Sequence, residues 1–422
     1  METSHLRALR TSGICFVSSL GGQVDRLAAL IERPSHRAFA LLLVGLGVIG
    51  YAYAVRLPSV GFNVHLYSAF GSYVNATGSL PVAGQSIGSE PFVASYGDFP
   101  AISLLIYRVL SLTGEAPNRF VWAAYYIVPV VLAAMALARM GGGRLGLPTS
   151  TARATAMVGI ILGSFVARGY EDKGYFFWLL VAVFLATSIN PLFGAIGGGV
   201  LVGWTGLVPL VPLLTASRVS HRFVRRLALF LVSVGTALIC VFAAGPASLT
   251  LLNNRRMRES SGTFWWGFWQ YLGPLDTPAF RVGITLLIAV AILFTYQRGW
   301  FSFPGALTLM AVVTVASSNS FGHVRFEMLL PLAVFLLRTS RAQLVYLMVL
   351  LAWSAVPLYD FFRYGSIFVD QDASPPMQLF VGVYTNAPIF VLLIMWLYAI
   401  PWRSLTVSRS RRSIFEPNAV TN

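Results

Sequence analysis

Residues 38–56 read AFALLLVGLGVIGYAYAVR, and Arg56 at the end is their only charged side chain. As an α-helix this stretch is about 28 Å long, close to the roughly 30 Å hydrocarbon core of a bilayer. Apolar runs of about 15 to 25 residues recur from Ala38 to Ile400. Over all 422 residues, 56% are apolar and only 11% are charged. The sequence therefore predicts an all-α polytopic membrane protein, and it excludes an ordinary soluble enzyme and a secreted protein held by disulfides.

The apolar runs predict about twelve membrane-spanning helices, within a range of about 11 to 13, and both termini in the cytoplasm. The predicted spans are 38–56, 119–138, 153–167, 174–188, 190–203, 205–216, 226–245, 282–297, 303–318, 326–337, 342–357 and 378–399. Three parts follow: a cytoplasmic segment 1–37 with an interfacial helix around Val24 to Ile31, a membrane domain 38–400, and a basic tail 401–422.

The net charge of +15 is explained by the sides on which the connecting segments fall. With these spans, 19 basic and 4 acidic residues lie inside, a net of 19 − 4 = +15. The remaining 11 basic and 11 acidic residues lie outside and cancel, 11 − 11 = 0. This is the asymmetry that the positive-inside rule describes, so the positive charge predicts a membrane orientation and no nucleic-acid partner.

Two segments take their assignment from this charge balance. Residues 99–112 are apolar but short and contain Arg108, and a crossing there would put Arg139 outside. We expect a re-entrant or interfacial helix in a long outer loop, 57–118. Residues 190–216 are predicted as two short spans with a break near Gly203, because a single crossing would place the following arginines outside.

Polar side chains gather on the predicted outer side of the membrane, where ionisable groups are costly and therefore point to function. The first loop carries Asn63, His65 and Asp98. The later outer segments carry Glu171, Asp172 and Lys173, then Arg255, Arg256 and Arg258 with Trp265, Trp266 and Trp269, and finally His323, Arg325 and Glu327. Arginine forks suit a phosphate, and aromatic rings suit the membrane interface, although an aromatic belt with headgroup-binding arginines has the same composition.

Other sequence motifs have structural interpretations. Gly45, Gly47 and Gly50 match a dinucleotide fingerprint letter for letter but lie in a predicted span, so we expect them to pack helices. Cys15 and Cys240 are too few and too far apart in the predicted topology for a disulfide, and no spaced set of residues predicts a metal site. We therefore expect no cofactor.

The order of these outer motifs resembles the GT-C superfamily, integral membrane glycosyltransferases that use a polyprenyl-phosphate-linked sugar. The segment from Gly61 to Pro81 is similar to the family's first-loop helix, which ends in a Gly-x-Leu-Pro turn. Asp98-Phe-Pro100 resembles an Asp-Tyr-Pro-Pro segment, and Glu171 with Asp172 resembles the acidic pair of the second loop. The stretch from Arg258 to Trp266 looks like a later basic and aromatic loop, and His323 to Pro331 like the entry to a late helix.

The resemblance implies attack of an acceptor hydroxyl on the anomeric carbon of a lipid-linked sugar. Asn63 stands where the family has its first-loop aspartate, and an amide cannot accept a proton, so Asp98 is the expected base, followed by His65 and Asp172. Glu171 and Asp172 are expected to orient the acceptor. The basic and aromatic residues of the later loops, with Lys173 and Glu327, complete the predicted substrate site, and the arginines bind the phosphate without a metal.

Several functions remain open at this stage. The alternatives are an O-antigen or exopolysaccharide polymerase using undecaprenyl-linked glycans, a lipid-linked-sugar transporter, and a non-catalytic relative that assists a partner subunit. A transporter should have a polar path through its spans. The predicted spans of this chain are almost free of charged residues. The expected partners are the lipid-linked donor, a glycan or glycolipid acceptor and the bilayer, and the expected location is a bacterial inner membrane.

Overall fold

The structure is a computed structural model, and most of the chain that it describes is helical. It describes residues 21–56, 58–78, 86–87, 90–91, 101–112, 119–166, 174–205, 223–243, 277–316, 329–364 and 394. The predicted span 205–216 lies outside these residues apart from Thr205, as does 378–399 apart from Ile394.

Twelve α-helices are numbered within the described ranges. They are α1 (21–32), α2 (His36–Arg56), α3 (Pro58–Thr77), α4 (Ala101–Ser111), α5 (Arg119–Arg144), α6 (Thr149–Ile161), α7 (Gly174–Ile189), α8 (Pro191–Thr205), α9 (Phe223–Ala243), α10 (Pro278–Gln297), α11 (Phe303–Ala316) and α12 (Ser340–Tyr364). A π-helical turn, Leu162–Val166, follows α6, and a 3-10 helix, Leu330–Leu336, precedes α12. Ser86–Ile87 and Glu90–Pro91 form a short antiparallel pair.

Three helical stretches of the described chain are long and apolar enough to cross a membrane: His36–Arg56, Phe120–Gly141 and Phe223–Cys240. Their outward faces are apolar as well. Leu41 on α2 is 72% exposed and Ile239 on α9 is 68% exposed, each among other exposed aliphatic side chains. Soluble proteins seldom expose such continuous apolar surface, whereas a bilayer covers it. The fold therefore fits an all-α membrane protein.

Helix directions follow from contacts between neighbours. Tyr51 donates to the Phe120 carbonyl at one end of the α2–α5 pair, and Phe39 and Arg139 line one cavity at the other, so these helices are antiparallel. Residues 57–118 consequently leave and return at the same end of the bundle. If residues 99–112 do not cross the membrane, α2 and α5 must be antiparallel in this way. In addition, α4 is about 16 Å long and is too short to cross a bilayer alone.

The α8–α9 pair has the opposite relation. Ala195 packs with Leu229, and Gly199 lies against the Ser233 carbonyl, so the sequence offset is 34 in both contacts and the helices run parallel. α9 thus begins at the end opposite to the one where α8 stops. The predicted single crossing by residues 205–216 requires α8 and α9 to be parallel, because the chain must return to the starting side before α9 begins.

The segment predicted as the span 326–337 is not a regular α-helix over its described part. Leu330–Leu336 is a buried 3-10 helix, which at about 2 Å per residue is only about 14 Å long. Side chains of α12 donate hydrogen bonds to backbone carbonyls of this segment. Gln343 donates to the carbonyls of Val334 and Leu337, and Tyr346 donates to the carbonyl of Leu330. Because these carbonyls have side-chain donors, the usual α-helical ladder is not needed to satisfy them.

The N-terminal helix α1, predicted as an interfacial helix, packs against the helical bundle. Val24 is buried in the main core, and Asp25 forms a salt bridge of 2.6 Å with Arg341. Arg153, itself 3% exposed, donates to the carbonyls of Ile31, Glu32 and Pro34, while the Glu32 carboxylate accepts from the Ser150 amide. The two helices thus cap each other, since Arg153 satisfies the C-terminus of α1 and Glu32 the N-terminus of α6.

Candidate functional site

The first predicted outer loop contains two helices, α3 and α4, that pack closely on each other. Gly71 lets the backbones approach, because a Cβ there would collide with the Tyr107 carbonyl. Asn75 donates its amide to the Arg108 carbonyl at 2.9 Å and to the Ser111 hydroxyl at 3.1 Å. Its amide oxygen accepts from Arg108 Nε at 2.8 Å. Both the nitrogen and the oxygen of the Asn75 amide therefore bond to α4. The Arg108 side chain, in turn, bonds to α3.

The α3–α4 contacts also fix the relative direction of the two helices. Gly71 lies against Tyr107 and Asn75 bonds to Ser111, so both contacts have a sequence offset of 36. A constant offset means that the helices run parallel. Extended along the pair, the same register aligns residue 65 of α3 with residue 101, the first residue of α4.

Aromatic packing fixes α4 against the start of α5. The rings of Tyr107 and Trp122 stack with centroids 5.6 Å apart and an interplanar angle of 28°. Trp122 also contacts Tyr125 edge-on and Tyr126 at a tilt, each at 6.4 Å. Both Tyr107 and Trp122 are fully buried. Such pairs contribute about 0.5 to 1.5 kcal/mol each beyond burial, so the start of α5 stabilises the position of α4.

α3 ends at Thr77, directly before a glycine. Gly78 follows Thr77 with a φ of +67°, and its amide donates to the Val74 carbonyl at 2.9 Å. A left-handed glycine after the last helical residue is a common helix terminator because it has no Cβ penalty. It is the first residue of the sequence Gly78-Ser-Leu-Pro81, the Gly-x-Leu-Pro pattern named above.

Only two of the sequence-predicted site residues lie in the described chain. Asn63 and His65 lie in the first half of α3. The others lie outside the described residues: Asp98, Glu171, Asp172, Lys173, Arg255, Arg256, Arg258, Trp265, Trp266, Trp269, His323, Arg325 and Glu327. Their roles remain predictions. Within the described ranges, no three His, Cys, Asp or Glu residues form a group that could hold a metal ion.

A second candidate site lies at the opposite end of the α2–α5 pair. A cavity of about 920 Å³ is lined by His36, Arg37 and Phe39 of α2 and by Met135 and Arg139 of α5, among others. Arg37 and Arg139 belong to the basic residues predicted on the inner side, and the sequence does not predict a cavity between them. Arg37 directly precedes the first apolar run and Arg139 directly follows the second, so two antiparallel spans place both arginines at the same end.

A scan against protein-family models, a search of curated proteins and a search of solved structures each found no match for this chain.

Proposed function

We propose that this protein is an integral membrane glycosyltransferase with about twelve crossings and cytoplasmic termini. It transfers a sugar from a polyprenyl-phosphate-linked donor to an acceptor hydroxyl on the extracytoplasmic side. The observation that carries the proposal is the α3–α4 pair, which is built at the end of α2 and α5 opposite the basic residues His36, Arg37 and Arg139. A packed helical layer at that end is suited to form one wall of an active site.

The helix register supports a common location for the three first-loop residues. Residue 65 aligns with residue 101 in the parallel α3–α4 pair. Asp98 precedes residue 101 by three positions, a chain length that spans at most about 11 Å. Asn63 and His65 therefore lie in the turns of α3 that are level with the first residue of α4. Asp98 therefore needs only a short connection to reach this end of the α3–α4 pair.

The proposed reaction needs one base and one stabilised leaving group. The acceptor oxygen forms a bond to the anomeric carbon and gives its proton to the Asp98 carboxylate. The bond from the anomeric carbon to the phosphate oxygen breaks, and its electron pair stays with the polyprenyl phosphate. Arg255, Arg256 and Arg258, with Arg325 and His323, stabilise the phosphate charge that develops. Glu171 and Asp172 orient the acceptor, and no metal is required.

The test compares Asp98→Asn with a matched control, Asp372→Asn, in a predicted outer loop that the mechanism does not use. Each purified protein is incubated with a panel of polyprenyl-phosphate sugars and membrane glycolipids, and release of polyprenyl phosphate is followed by mass spectrometry. We expect Asp98→Asn to lose at least about 100-fold in rate, the usual contribution of a general base, and the control to retain turnover. Normal turnover by Asp98→Asn would remove that residue from the role.

A second candidate, a non-catalytic relative that assists a partner subunit, is favoured by Asn63. An amide at the position of the family's aspartate removes a proton acceptor. The two candidates differ in the wild-type protein, which turns over only if it is an enzyme. If wild type is silent and Asn63→Asp releases polyprenyl phosphate, the accessory function is the better account.

A further inference from the structure

We infer that the cavity between α2 and α5 binds an anionic phospholipid of the leaflet at the basic end of the bundle. The inference does not depend on the proposed glycosyl transfer, because the cavity lies at the opposite end of these helices from the α3–α4 pair. Its volume of about 920 Å³ is within the roughly 300 to 1,000 Å³ typical of ligand cavities.

The charge of the cavity rim favours an anion. Arg37 and Arg139 are both exposed and face the same opening from two helices, with His36 beside them. No acidic residue is among the described residues that line the cavity. Behind the wall, the buried Arg153 guanidinium lies 4.9 Å from the ring centroid of Phe39. Guanidinium groups bind phosphate through paired N–H donors.

The apolar part of the cavity favours a lipid over a soluble anion. Phe39 and Leu43 of α2 and Met135 of α5 form its walls below the basic rim. These walls continue into faces that the bilayer covers, because Leu41 on α2 and Leu132 on α5 are 72% and 60% exposed. A headgroup at the rim therefore leaves its acyl chains against apolar side chains. Basic pockets between membrane helices on the cytoplasmic side bind lipid headgroups in this way.

The chain's own tail is a poor occupant on charge grounds. Arg403, Arg409, Arg411 and Arg412 give residues 401–422 the same sign as the rim. Repulsion between like charges disfavours insertion of that tail, whereas a phosphodiester neutralises the rim.

The experiment measures lipid retention by native mass spectrometry after purification in detergent containing equal amounts of phosphatidylglycerol and phosphatidylcholine. The charge variant is the double substitution Arg37→Gln, Arg139→Gln. Its matched control is Arg225→Gln, Arg298→Gln, which removes the same charge from residues that do not line the cavity. A third variant, Ala136→Phe, fills the cavity without changing charge. Thermal unfolding midpoints verify that all three variants are folded.

Wild type should retain phosphatidylglycerol in preference to phosphatidylcholine, and the charge variant should bind it roughly 10- to 30-fold more weakly. Ala136→Phe should also lose the lipid, while the control should retain it. Equal loss in the control would show diffuse attraction to the whole basic end and overturn the site. Normal retention by the charge variant or by Ala136→Phe would overturn it as well.

Discussion

At the residue scale, glycines of the first span act through their size. A Cβ at Gly50 would collide with the Ser164 side chain, and one at Gly47 would lie 2.5 Å from a Val131 methyl. Among the residues that the structure describes, none lies within 4 Å of a Cβ at Gly45. The interpretation of this motif as helix packing is thus confirmed for Gly47 and Gly50, which approach α5 and the π-helical turn after α6, whereas Gly45 packs on no helix of the described chain.

Gly50→Ala and Gly45→Ala therefore form a matched pair within one helix. We expect Gly50→Ala to lower the free energy of unfolding by about 1 to 3 kcal/mol, because the added methyl overpacks the contact with Ser164. Gly45→Ala should raise it slightly, since alanine is favoured over glycine in helices by up to about 1 kcal/mol. Thermal unfolding in detergent measures both. Equal effects of the two substitutions would contradict the packing account.

At the element scale, α3 and α4 depend on polar contacts that a sequence pattern does not reveal. The apolar runs were sufficient to predict α2 and α7 almost to the residue, because hydrophobic length is a local property. The pairing of Asn75 with Arg108 joins residues 33 positions apart and has no periodic signal. The 3-10 helix at Leu330–Leu336 was missed for the same reason, since its geometry depends on Gln343 and Tyr346 of another helix.

Asn75→Ala should loosen α4 without unfolding the bundle. The substitution removes two donated bonds and one accepted bond to α4, so about 1 to 3 kcal/mol of local stability is lost. Hydrogen–deuterium exchange of residues 101–112 should become at least several-fold faster. Ser188→Ala is the control, since that hydroxyl bonds to Phe184 within its own helix. Unchanged exchange in α4 would mean that aromatic packing alone holds it.

At the scale of the whole molecule, the relative directions of the described helix pairs agree with those that the predicted spans require. α2 and α5 are antiparallel, α8 and α9 are parallel, and α12 begins beside α1 through the Arg341–Asp25 pair. Positive-inside sorting requires each of these relations. What sequence could not supply is the packing of α3 on α4 and of α1 on α6, because it depends on tertiary contacts among residues far apart in the chain.

Single cysteines test this orientation in a background with Cys15→Ser and Cys240→Ser. Ser35→Cys lies before α2 at the basic end, and Ala76→Cys lies near the end of α3. A membrane-impermeant maleimide applied to intact spheroplasts should label Ala76→Cys at once and Ser35→Cys only after permeabilisation. Labelling of both from the same side would contradict the proposed topology.

The most direct test of the central claim, a polyprenyl-phosphate ligand at the outer face, is identification of the lipids that co-purify with the protein. Wild type and an Arg255, Arg256, Arg258→Ala triple variant are isolated from membranes that contain polyprenyl-phosphate sugars and analysed by mass spectrometry. Retention of a polyprenyl phosphate by wild type and its loss from the triple variant is the predicted result. Absence of that lipid from the wild-type protein would contradict the claim.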